Sequence, residues 1–232
     1  MIGSKADMQS GSSRLAHGWK LLRTASPSEA LLREFIRPAV RAVPSSMARR
    51  LGSCRIALSA EADPTVASRW TETDAGLEIS VVTAGSEDHD IAVELLLCLG
   101  QALWEKLSDA EIRAYWLLLD EEIRAGIDGE IDEQALGEKR CLLGSRFHAR
   151  SPRQLARYGR ASFAGTAAEY VHCLWHEVTA RTGPNYLPAP QLRRRLELLA
   201  RWFPPDRGFR LFPAASRVSQ TAGAEFRGGA RD

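Results

Sequence analysis

The chain has 232 residues, 44% of them hydrophobic and 26% charged, and 31 basic against 29 acidic residues leave a net charge of +2. That balance gives no support to nucleic-acid binding, and no apolar run reaches the ~20 residues of a membrane-spanning helix. The length suits one domain, expected over 14–213 between a disordered N-terminus (1–13) and a flexible C-terminal tail (214–232).

The first residues are polar, without the apolar core of a signal peptide. None of Cys54, Cys98, Cys141 and Cys173 falls in a CxxC pair, so zinc-ribbon and thioredoxin-like motifs are absent. Cytoplasmic residence with reduced thiols is the expectation.

Leu15, Leu21 and Leu22 predict a short helix around Trp19. A clearer helix spans 27–43, with Ser26 as N-cap, Pro27 at the first helical position and Glu29 three residues on. Pro38 should kink or shorten it. Another short helix, Pro44 to Leu51, runs to Gly52. Cys54 to Glu61 then alternates with period two, and 66–73 and 77–82 do so more weakly. Asp63-Pro64 and Asp74-Ala75-Gly76 read as turns between three strands of a small sheet, its edge near 77–82.

Everything after Ser86 reads as helix. The run 87–107 (EDHDIAVELLLCLGQALWEKL) is apolar almost all round and should be buried on most sides. Asp88 and Asp90 suit the positive end of its dipole. Ser108 with Glu111 forms a capping box for the next helix, ended by Gly126 and Gly129. A shorter helix covers Ile131 to Leu143, a long one opens at Ser151-Pro152 and runs to about Thr182, and QLRRRLELLARWF forms the last. Trp104 and Trp116 are expected in the core, where truncation to Ala costs about 3–5 kcal/mol.

The stretch Leu96-Leu97-Cys98-Leu99-Gly100-Gln101-Ala102-Leu103-Trp104 resembles the active-site helix of the zincin metallopeptidases, commonly LLHELGHALW, with its chemistry removed. In HExxH two His ligate zinc and the Glu acts as general base. Here the positions of the two His are Leu97 and Gln101, and that of the Glu is Cys98. Glutamate-type zincins carry a third ligand in a later helix, in a pattern like E-x-F-A-E-x-F-A. The matching run from Ala161 to Ala168 keeps Phe163-Ala164 but has Ala161 and Gly165 at the two Glu positions.

The resemblance implies an α+β fold, a mostly helical zincin-like domain with a small three- to four-stranded sheet packed on the former active-site helix. It also implies that the metal ligands and general base are lost, so no peptidase activity and no cofactor are expected. The function that follows is a catalytically inactive module, with a peptide or protein segment held between the 77–82 strand and the 87–107 helix.

Two other constellations compete. His172 and His176 share one helix face, with Glu169 and Glu177 adjoining, and offer an alternative metal site for an enzyme of different mechanism. The blander reading puts both at the helix surface. Cys98 has the chemistry of a nucleophile, but a leucine-rich helix favours an inert buried thiol. Arg146, Arg150, Arg153, Arg157 and Arg160, and a second group of Arg193, Arg194, Arg195 and Arg201, are either anion patches or solvated helix surface paired with acids of 120–138. A plain helical interaction protein is the remaining alternative.

Overall fold

The computed structural model describes residues 12–22, 27–60, 68–144, 151–176 and 183–212. Within them the fold is α+β: a five-stranded mixed sheet with helices packed beside it. The strands are β1 (Ser12–Arg14), β2 (Lys20–Leu22), β3 (Cys54–Ser59), β4 (Arg69–Thr73) and β5 (Gly76–Val82), in the spatial order β1-β2-β3-β5-β4. β2, β3 and β5 run parallel, and β1 and β4 are antiparallel edges.

Alternation sets the buried face. Cys54, Ile56 and Leu58 lie opposite Leu77, Ile79 and Val81 in register, and all six are buried. Each such aliphatic side chain contributes roughly 1.5–3 kcal/mol by leaving water. On the other face Arg55 pairs with Glu78 at 3.1 Å. The β4–β5 hairpin turns through Asp74 and Ala75 into Gly76, whose φ of 113° and close approach to the Ser53 carbonyl both demand glycine.

Four expectations need correction here. The residues around Trp19 form no helix of the expected kind but a β1–β2 hairpin around a 3-10 turn at Ala16–Gly18, with Trp19 inside. Strand β5 is not an edge, because β4 lies outside it. The sheet therefore has five strands, two of them N-terminal ones of three residues, too short for alternation to show. The tract expected to be disordered overlaps β1 at Ser12 and Ser13, and its first eleven residues lie outside the described ones.

The first helical segment divides at Pro38. Leu31–Ile36 is π-helical, and α1 (Arg37–Ala42) follows. The Arg37 N–H donates to the Leu32 carbonyl five residues back, the widened register that lets a proline sit in the next turn. Ser28 Oγ accepts the Leu31 N–H at 2.9 Å, while Ser26, the expected cap, lies outside the described residues. Then come α2 (Ser45–Leu51), α3 (Asp88–Trp104), α4 (Asp109–Arg124), α5 (Glu133–Gly144), α6 (Pro152–Trp175) and α7 (Ala189–Trp202). Both expected starts at Ser108 and Ser151 are full capping boxes. α6 stops at Trp175, short of Thr182, and 177–182 lie outside the described residues, as do the tail from 213 and the Asp63-Pro64 turn.

α3 packs on β5 and β4 and, more extensively, on α6. Its side chains are buried on nearly every side, from Ile91 to Trp104. The two helices run antiparallel. His89 meets His172 at one end, Gly100 meets Ala164 in the middle, and Trp104 lies against Gly159 at the other. A Cβ on Gly100 would stand 2.7 Å from the Ala164 carbonyl oxygen, so glycine is what allows the backbones this close.

Candidate functional site

The α3–α6 pairing brings the positions aligned with the zincin motif close together but not into one point. Gln101 and Ala161 line the same surface hollow, one from each helix. Leu97 lies one turn along α3 and lines a neighbouring cavity with Gly165, the second of the two positions aligned with zincin glutamates. The sheet edge lines neither space. Their third wall is the segment 130–138, with Gln101 Nε2 donating to Gln134 Oε1 at 3.4 Å. The groove expected between the 77–82 strand and α3 is thus replaced, for these residues, by a cleft roofed by α5 and the loop before it. Cys98 points elsewhere, into the core at 2% exposure, and burial pushes its thiol up to about 12. That suits an inert side chain rather than a nucleophile.

The cavity holds about 90 Å³ and is bounded by Leu97, Glu130, Asp132, Gly165, Glu169 and His172, among others. Asp132 is its most informative residue. Oδ1 accepts the Ala135 N–H at 2.9 Å and so caps α5. Oδ2 is buried without a hydrogen-bond partner. It fills the space beside Gly165, where an added Cβ would lie 2.0 Å from it. Burial raises the Asp132 pKa above its ordinary value and the neighbouring Glu130 adds to the rise, against the Ala135 and Gln134 N–H groups and the Arg195 charge.

Behind this wall lies a buried ionic network. Arg195, fully enclosed on α7, grips Glu130 with two N–H groups at 2.7 and 3.0 Å and Glu122 of α4 through Nε at 3.1 Å. Lys139 of α5 reaches Glu130 at 3.1 Å and the Gly129 carbonyl at 3.0 Å. Tyr158 O–H donates to Glu130, and Tyr115 joins Ser162 and Thr166. Two cations thus balance two carboxylates, the condition under which charges persist in a core. Burial alone would raise the Glu130 pKa, but the charge and hydrogen bonds of Arg195, then Lys139, hold it down at about 2. Arg195 is therefore not part of a solvated patch, a correction to the sequence reading. Four of the other arginines pair at the surface, Arg157 with Glu138 and Arg194 with Glu121 within the expected acidic stretch, and Arg160 with Glu105 and Arg193 with Glu197 outside it. Arg146 and Arg150 lie outside the described residues.

His172 is also not a surface residue, being 8% exposed, whereas His176 is exposed and leaves the helix in an extended conformation. The partner that sequence reading missed is His89 in the first turn of α3. Its Nε2 lies 3.1 Å from that of His172, across 83 residues of chain, with the His176 ring stacked on the His172 ring. Only a two-helix packing model signals such a pair, since nothing local to His89 does. Trp116 proves half-buried, but Trp104 packs with Tyr115 and Phe163 in the core as expected.

No family model matches the chain, and neither a curated protein nor a solved structure matches it.

Proposed function

We propose that this chain is a non-catalytic domain of zincin-like ancestry whose α3–α5–α6 cavity receives a positively charged group, an ammonium or guanidinium carried by a peptide or protein segment. The observation that carries the reading is Asp132 Oδ2, a buried acceptor without a partner in the wall of an acidic cavity. A buried carboxylate oxygen left unbonded is costly, and a cationic donor would relieve that cost. Glu169 adds a second carboxylate to the same wall, while the Glu130 charge is already balanced by Arg195 and Lys139. At about 90 Å³ the space suits a side-chain head group and is well below the ~300 Å³ of a drug-sized pocket. Zincin-type hydrolysis is unsupported, because catalytic zinc needs about three protein ligands and Leu97, Gln101 and Ala161 do not supply them.

The binding test is calorimetric titration of the full chain with short lysine-, arginine- and glutamate-bearing peptides. Basic peptides should bind, and Asp132→Asn should weaken them about tenfold, from loss of a charge-assisted hydrogen bond worth ~1.5–3 kcal/mol. Equal binding of acidic peptides, or indifference to Asp132→Asn, would remove the proposal. Ancestry has its own test. The variant Leu97→His, Cys98→Glu, Gln101→His, Ala161→Glu should acquire zinc affinity at some cost in stability. If it folds and binds no zinc, the alignment with the zincin motif fails.

A further inference from the structure

The histidine pair at the end of the α3–α6 interface poses a separate chemical problem. Each ring has a carboxylate near Nδ1: Asp90 Oδ1 at 3.4 Å from His89, and Glu169 Oε2 at 3.6 Å from His172. A carboxylate facing Nδ1 favours the tautomer with the ring proton on that nitrogen. Both Nε2 atoms are then left as acceptors, yet they face each other at 3.1 Å with the ring planes 60° apart. Two lone pairs at that distance repel unless something positive lies between them. Two imidazoles on one tetrahedral zinc, each ~2.0–2.1 Å from the ion, hold their nitrogens about 3.3 Å apart, close to the spacing here.

We propose that His89 and His172 bind a divalent transition-metal ion of the zinc–copper class through their Nε2 atoms, tying the first turn of α3 to the last turn of α6. Imidazole nitrogen is a preferred ligand for these ions. Asp90 and Glu169 orient the rings from behind, by facing the nitrogen that does not hold the ion. Among the described residues no three His, Cys, Asp or Glu side chains are grouped to hold a metal ion. The described residues thus supply two ligands, and water completes the coordination. The ion enters from the His89 side, where the side chain is 32% exposed against 11% for His172. The site uses none of Leu97, Gln101 and Ala161 as ligands, although His172 and Glu169 also line the cavity beside Leu97, and it stands whether or not the zincin reading holds.

The probe is copper(II), titrated into the full chain after chelator treatment and followed by electron paramagnetic resonance. One ion per chain with coupling to two imidazole nitrogens is expected. His89→Ala, at a half-buried helix start where the fold should tolerate it, should abolish that signal, and His172→Ala should do the same. Glu169→Gln should weaken binding about tenfold, as loss of an orienting carboxylate does. His17→Ala should leave it unchanged. Thermal unfolding gives an independent readout, with zinc raising the midpoint of the parent chain but not of His89→Ala. Absence of saturable binding, a spectrum without paired imidazole nitrogens, or His89→Ala binding copper like the parent would overturn the proposal and leave a shared proton between the rings.

Discussion

Helix α6 packs two unlike interfaces. Toward α3 it is dry, with Ala164 against Gly100 and Phe163 and Gly159 against Trp104. Toward α4, α5 and α7 it meets the enclosed network of Arg195, Glu122, Glu130 and Lys139 through Tyr158, Ser162 and Thr166. Away from its His89–His172 end, the first is held by shape and depends on volume, with no titratable group among the Gly100, Ala164, Gly159 and Trp104 contacts. The second depends on every partner being present, since a buried charge is tolerable only while it is matched. One helix thus carries a robust side and a conditional side, and the candidate cavity lies where the two meet.

The sharpest break of that contrast is Arg195→Ala. It takes the Arg195 partner from Glu122 and leaves Glu130 with Lys139 and Tyr158, and it should destabilise the chain by about 3–5 kcal/mol in urea unfolding. A loss below 1 kcal/mol would mean that water reaches the network and that the two faces do not differ as described.

Acid offers a gentler version. Glu130 is held near 2 in the folded chain, well below the usual carboxylate value of ~4.3. Its folded pKa is depressed, so its contribution is fully present above the unfolded value and is lost as pH falls from about 5 toward 2. The size is on the order of 3 kcal/mol by linkage. Unfolding free energies measured across that window should fall steeply in the parent and less steeply in Glu130→Gln, which starts from lower stability. Parallel slopes would show that the acid sensitivity lies elsewhere.

On the dry side, Gly100→Ala places a Cβ 2.7 and 2.9 Å from backbone atoms of Ala164, which cannot swing away. Overpacking of this kind costs about 1–3 kcal/mol, and no pH dependence should accompany it. A pH-dependent loss in this variant would mean that the two faces are coupled through α6.

What could be read from the sequence follows from range. The caps at Ser108 and Ser151, the burial of α3 and the alternation in β3 are set by residues within a few positions, and they are as expected. The N-terminal hairpin escaped because three-residue strands contain too little pattern. Arg195 was misread because an Arg-Arg-Arg run reads as solvated, whereas its acidic partners lie 65 and 73 residues away. The His89–His172 pair and the Asp132–Gly165 contact escaped for the same reason. The small size of Ala161 and Gly165 is plain in the sequence, but that Asp132 occupies the space beside Gly165 is a tertiary fact.

The smallest effect tests whether α5, the roof of the cavity, is held by its partners or by its own helical preference. Gly137 sits on its exposed face, and an added Cβ there would meet nothing within 4 Å. Gly137→Ala should therefore stabilise the chain by roughly 0.8–1.0 kcal/mol or somewhat less, the difference in helix propensity. Thermal unfolding at neutral pH measures it. The full gain requires that α5 be formed in the folded chain and lost on unfolding. A gain near zero would mean instead that α5 opens before the rest, with Lys139 and the Asp132 cap detaching first. The same substitution would then be expected to raise hydrogen-exchange protection in α5 alone, which separates a roof that lifts from one fixed to the ionic side of α6.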